Sequence, residues 1–81
     1  MNALAYRARL NRIDLRLVAY RPAHEPMPDD HLRLVVQVVE RGRPIAEDPL
    51  LTQEVSTLDL AWFIHNSRME GWDIQPWERS H

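Results

Sequence analysis

Cysteine is absent from this 81-residue chain. That excludes a disulfide framework, a thiolate zinc site and a thiol nucleophile. Lysine is absent too, so all ten basic residues are arginine. GC-rich coding produces that bias; so does selection for a planar fork that grips carboxylates and phosphates. With only two glycines, Gly42 and Gly71, no glycine-rich phosphate loop can be built. Serine stands only at 56, 67 and 80, never in the Gly-x-Ser-x-Gly frame of a nucleophile elbow. Apolar runs are only a few residues long, far short of the roughly 20 residues a membrane helix needs. The opening stretch MNALAYRARL is interrupted by Arg7 and Arg9, unlike a signal peptide. The expectation is a soluble, cytoplasmic protein that does not engage a membrane.

What is present supports a compact fold. Hydrophobic residues make up 44% of the chain, which argues against wholesale disorder. Eighty-one residues make one domain, spanning 1–81, and a chain this short has a thin core. Charge is unevenly placed. Residues 1–21 hold Arg7, Arg9, Arg12, Arg16 and Arg21 against Asp14 alone, a balance of +4, while the rest carries five arginines and eleven acids, a balance of −6. The overall −2 argues against generic nucleic-acid binding but leaves a local basic strip.

Two segments read as strands. Arg12–Tyr20 alternates, with Ile13, Leu15, Leu17 and Ala19 on one face. His31–Glu40 places Leu32, Leu34, Val36 and Val38 on one face and adds Val35 and Val39 on the other, as expected of a central strand. Tyr6–Leu10 alternates in the opposite phase, and the break at Asn11-Arg12 fits a bulge, a tight turn or a preceding helical turn equally. Whether 3–11 is strand or helix stays open. Between the two strands lies an exposed loop at 21–31 rich in proline and acid. Glu40–Pro44 reads as a turn around Gly42.

The segment 49–55 is compatible with a strand or with the start of a helix. Ser56 heads a Ser-x-x-Asp cap ending at Asp59, and Gly71 is placed to end the helix. The helix is therefore expected from about residue 57 to residue 70, followed by an irregular tail at 71–81. On it, Leu58, Leu60, Ala61, Trp62, Ile64, His65 and Met69 span an arc of roughly 200°. That arc makes Trp62 a core residue and leaves Phe63 outside, beside Asp59, Asn66, Ser67 and Glu70. The fold class expected is α+β: a small antiparallel sheet of three or four strands carrying one long helix in the C-terminal half, in two layers.

Candidate chemistry is sparse. His24, Glu25, Asp29, Asp30 and His31 gather potential metal ligands in one loop, but their spacing matches no established site. Asp29 and Asp30 are adjacent, so they cannot flank a cleft as acid and base. His65 lies among apolar helix positions, where a hydrogen-bonded structural histidine is the ordinary case. The expectation is a non-enzyme with no cofactor and no metal.

Binding is the remaining class. Four of the six aromatic residues fall between Ala61 and Trp77: Trp62, Phe63, Trp72 and Trp77. Phe63, Trp72, Trp77 and Arg79 are the candidate partner-binding residues, since aromatic and arginine side chains dominate interface energetics. Trp72 is expected to fold back on the helix end and Trp77 to reach a partner. Arg7, Arg9, Arg12 and Arg16 are candidate phosphate ligands on one strand surface. The stretch VVERGRPI (Val38–Ile45) followed by STLDLAWF (Ser56–Phe63) resembles the layout of a small phage anti-CRISPR family, a hairpin and then a helix with a Trp-Phe pair. The likeness covers under half of the chain and transfers no residue role. The function expected is a small protein-binding module that inhibits a larger protein, as bacterial toxin-immunity proteins and phage anti-defence proteins do. The alternatives are a nucleic-acid accessory protein using the N-terminal arginines, and a small structural subunit or homodimer.

Overall fold

The computed structural model describes residues 3–45 and 49–77. They form six strands and one helix: β1 (Leu4–Leu10), β2 (Ile13–Tyr20), β3 (His31–Glu40), β4 (Arg43–Pro44), β5 (Leu51–Ser56), α1 (Thr57–Met69) and β6 (Asp73–Pro76). Neighbouring strands are antiparallel throughout, in the order β4-β3-β2-β1-β6, with β5 also on β3. β4 lies against residues 39–40 of β3 and β5 against residues 31–36, so the two share one edge. The helix then carries the chain across the sheet from that edge to the opposite one, where β6 pairs with β1.

This corrects the expected architecture. The sheet has six strands, not three or four, and the helix is 13 residues long and subordinate to it. The expected irregular tail contains β6, a four-residue strand ending in Pro76. Proline is tolerated there because β6 is an edge strand, with no outer neighbour among the described residues. The segment 3–11 is β1 and its turn, and 51–56 is a strand that runs directly into the helix.

Local chemistry explains the connections. β1 and β2 pair in register from Leu4↔Ala19 to Leu10↔Ile13, so the phase break at Asn11-Arg12 is a two-residue hairpin turn. Asn11 adopts φ 55, a left-handed conformation that asparagine accepts more readily than most residues. In the β3–β4 turn both Arg41 and Gly42 have positive φ, 53 and 78, as a type I′ hairpin requires. The proline-rich loop is tied down by Arg21. Its guanidinium donates to the carbonyls of Met27, Pro28, Asp29 and His31 at 2.7–3.1 Å. The Ser56 side chain caps α1 by accepting from the Asp59 amide at 3.0 Å. At the other end Gly71 takes φ 107. The Trp72 amide bonds the Ser67 carbonyl and the Gly71 amide bonds that of Arg68, which together make a Schellman cap. Trp72 thereby turns back and packs against the core.

The core lies on one face of the sheet. Ala8, Leu17, Ala19, Leu34, Val36 and Ile74 meet Leu60 and Ile64 of the helix. Those two are the buried residues of α1. The expected helix orientation is therefore off by about a quarter turn: Leu60 and Ile64, at one end of the expected arc, are buried as expected, while Leu58, Trp62 and Met69 at its other end are exposed. At about 100° per residue, Leu58, Trp62, His65 and Met69 stand on the side opposite Leu60, Ile64 and Ser67. Trp62 is 56% exposed, Leu58 66% and Met69 77%. α1 is apolar on two opposite sides, and the sheet selects the one carrying slimmer aliphatic side chains. Ala8 and Ala19 leave room for a helix to approach, and Leu60 and Ile64 fill that room more closely than an indole could.

Two substitutions test this orientation. Leu60→Ala is expected to cost about 2–5 kcal/mol, the range for truncating a buried aliphatic side chain. Trp62→Ala is expected to change stability by less than about 1 kcal/mol. Urea denaturation measures both, and a larger loss for Trp62→Ala would reverse the assigned helix face.

Candidate functional site

Two surfaces flank the sheet, and they differ in chemistry. On the face away from the helix, side-chain alternation collects the arginines. Arg7 of β1 stands directly across from Arg16 of β2, and Arg16 is directly across from Gln37 of β3. Like charges in direct opposition destabilise a sheet, and the structure offsets this in three ways. Asp14 accepts a forked bond from Arg7, at 3.0 Å from Nε and 2.6 Å from Nη2. Gln37 Oε1 accepts from Arg16 Nη1 at 3.2 Å. Trp77 lies under both cations, with its ring centroid 5.9 Å from the Arg7 guanidinium carbon and 5.3 Å from that of Arg16. Arg16 Nε is shielded from solvent and has no hydrogen-bond partner among the described residues. The negative ring face of Trp77 supplies electrostatic compensation instead.

Trp77 is half-buried and its amide bonds the Ala5 carbonyl at 2.9 Å, so it extends the sheet edge rather than projecting from a free tail. Arg79 lies outside the described residues. Of the four candidate phosphate ligands, Arg7, Arg9 and Arg16 share this face, while Arg12 sits in the β1–β2 turn. Arg9 pairs with Asp73 at 3.7 Å, and on β3 Arg33 pairs with Glu25. Alternating cations on a strand read as a basic strip. The sheet register sets acids from other elements among them, and that register is not written in the strand itself.

The loop histidines and acids behave likewise. His31 meets Glu54 of β5 and Arg33 holds Glu25. Among the described residues no three His, Asp or Glu side chains converge as a metal site would require. Among them, too, no helix is long and apolar enough to cross a membrane.

The helix side of the sheet carries the other surface. A 13-residue helix is about 20 Å long and about 10 Å across. The sheet it crosses is five strands wide, about 20–25 Å, and β3 alone is about 33 Å long. The apolar sheet face is therefore only partly covered: Leu15 is half-buried and Leu51 is 46% exposed, while Leu17 and Val36 are buried. The result is a groove of about 290 Å³ along one flank of α1. Phe63, Ser67 and Glu70, spaced four and three apart on the helix, form one wall. Leu15, Leu17 and Val36 form the floor, Leu51 the far side, and Trp72 with Ile74 the end. Phe63 is 45% exposed and overhangs the opening.

Phe63 and Trp72, two of the four candidate partner-binding residues, thus meet in one place, while Trp77 belongs to the opposite face. Leu15, Leu51 and Glu70 were missed from sequence. Alternation marks Leu15 as core, and nothing local shows that the helix stops short of it. Ligand pockets are characteristically apolar with a few placed polar groups, and here Ser67 and Glu70 are those groups. No family model, curated protein or solved structure matches this chain.

The polar face makes a pH prediction. The hydrogen bonds from Arg7 hold the Asp14 carboxyl below the ordinary carboxylate range, against a smaller opposing effect of burial. A depressed carboxyl contributes stability that is complete above its unfolded pKa and lost as pH falls through its native one. The wild-type protein should lose stability on acidification below about pH 4, where an ordinary aspartate begins to protonate. Asp14→Asn should be less stable at neutral pH and show a shallower acid limb. Identical acid limbs in parallel urea titrations would remove the Arg7–Asp14 pair as their cause.

Proposed function

We propose that this chain is a non-enzymatic protein-binding module that acts by occupying a surface of a larger protein, with the groove beneath Phe63 as its docking site. The observation that carries this reading is the groove itself. It is an apolar slot lined by core-quality side chains, open to solvent beside an exposed aromatic residue. Interfaces concentrate their energy where one partner's apolar anchor enters such a slot. At about 290 Å³ the slot is at the small end of the range for ligand sites, a size suited to one or two side chains. Glu70 at the rim favours an anchor with a basic residue beside it.

A module of this kind works by steric blockade. Toxin-immunity proteins and anti-defence proteins are examples of the class. The nucleic-acid reading has weaker support. Arg7, Arg9 and Arg33 are already engaged by acids of the same chain, so their charge is partly neutralised before any phosphate approaches.

The test is retention of a partner from the native host on immobilised wild-type and variant chains. One protein should be retained by the wild type, insensitive to moderate salt, and lost with Phe63→Glu and with Ser67→Trp, which fills the slot. Retention of nucleic acid that falls steeply with salt, survives Phe63→Glu and disappears with Arg9→Glu would reject the groove in favour of the arginine face.

A further inference from the structure

The outward side of α1 is separate from the groove. Leu58, Ala61, Trp62 and His65 line a shallow depression there, and Met69 continues it to the end of the helix. None of these residues lines the groove. A helix buried on one side ordinarily shows charge on the other. Here positions 58, 61, 62, 65 and 69 hold no Asp, Glu or Arg, and Arg68 beside Ala61 turns its guanidinium to the Ile74 carbonyl at 2.9 Å. The large side chains Leu58, Trp62 and Met69 are more exposed than buried. We propose that this side of α1 is a self-association surface, on which two copies of the chain pair through antiparallel helices about a two-fold axis.

The spacing is the first reason for choosing a second copy as the occupant. Positions 58, 62, 65 and 69 are separated by four, three and four residues, the interval by which packed helices keep one seam in contact. That series reads the same in both directions. Antiparallel pairing therefore sets Leu58 against the partner's Met69 and Trp62 against the partner's His65, and then repeats both contacts in reverse. Every layer is filled, and the surface is its own complement, as a two-fold interface requires. The Trp62 and His65 rings already stand edge to face within one copy, 6.0 Å apart at 85°, so the central layer is partly ordered before association.

Charge and area are consistent with the same occupant. In the antiparallel register Asp59 flanks the partner's Asn66, and Ala61 flanks the partner's Arg68, so no like charges are brought together. The helix dipoles also oppose one another favourably. From the exposures of Leu58, Trp62 and Met69, the seam offers about 400–500 Å² per copy. A symmetric pair thus buries at most about 800–1,000 Å² in all, below the standard size of stable interfaces and in the range of weak, transient ones. Interfaces of that size are characteristically weak and transient, so the association expected is reversible rather than permanent.

Sedimentation equilibrium on the purified chain, from micromolar to millimolar concentration, tests this directly. The mass is expected to rise from 9.6 kDa towards twice that value. Trp62→Glu should weaken association by about 30-fold or more, the loss typical of a central hot spot, while Phe63→Glu in the groove should leave it unchanged. Circular dichroism confirms that each variant is folded. If Trp62→Glu does not fold, Met69→Glu asks the same question from the most exposed position of the seam. Orientation is read by cross-linking, which the absence of native cysteine makes clean. A mixture of Leu58→Cys and Met69→Cys chains should form mixed disulfides, and neither should link efficiently to itself. The proposal is overturned by a wild type that stays at chain mass throughout, by charge variants that associate as well as the wild type, or by efficient self-linking of either cysteine variant. Success or failure here leaves the groove reading untouched, because the two surfaces share no side chain.

Discussion

A 13-residue helix lies across a sheet five strands wide, and most of what is distinctive here follows from that mismatch. Leu60 and Ile64 meet Ala8, Leu17, Ala19, Leu34, Val36 and Ile74 in a small core. The contact is close because the alanines leave room beneath the helix. It is also narrow. Beyond the helix flank the sheet is only partly covered, with Leu15 half-buried and Leu51 exposed, and the groove beside Phe63 results. Above the helix a second apolar strip faces solvent. In a large domain further elements would cover both. Among the described residues the second layer is this one helix, and the apolar surface beside and above it stays exposed in part.

The opposite face of the sheet solves a different problem. Strand pairing sets Arg7 directly against Arg16, and neither can turn away without leaving the pleat. Asp14 takes up Arg7, Gln37 takes one arm of Arg16, and the Trp77 ring lies under both. The C-terminal tryptophan therefore stabilises a repulsive pair from the far end of the sequence. β6 is what brings it there. Pairing of β6 with β1 places Gln75 beside Arg7, and the Trp77 amide then closes on Ala5. The acids that answer the basic strip come from β2 for Arg7, from β6 for Arg9 and from the proline-rich loop for Arg33.

Groove and seam occupy different sides of the same helix. Phe63, Ser67 and Glu70 belong to one; Leu58, Ala61, Trp62 and His65 to the other. Pairing as proposed would leave both grooves free. The helix termini are fixed independently of either surface by the Ser56 cap and the turn at Gly71. Substitutions on one side can therefore leave the helix and the other side in place.

Local chemistry alone determined the two long strands, through alternation at Ile13–Tyr20 and His31–Glu40. It also determined the hairpin turn at Gly42, the loop enforced by its prolines, and the helix limits set by Ser56 and Gly71. These depend on side-chain period and backbone stereochemistry, which act over a few residues. The helix orientation was only partly legible: Leu60 and Ile64 fell inside the expected buried arc, but α1 is apolar on two opposite sides and periodicity cannot rank them. Only the alanine-lined sheet chose Leu60 and Ile64 over Trp62. β6 was not legible. Four residues ending in proline carry no strand signal, and they become a strand because β1 offers an open edge. The groove is further still from local sequence. Leu15 and Leu51 look like ordinary strand residues, and their exposure depends on how far a helix from elsewhere in the chain extends. Tertiary structure decided these features because each depends on area left uncovered, a property of packed elements and not of any one segment.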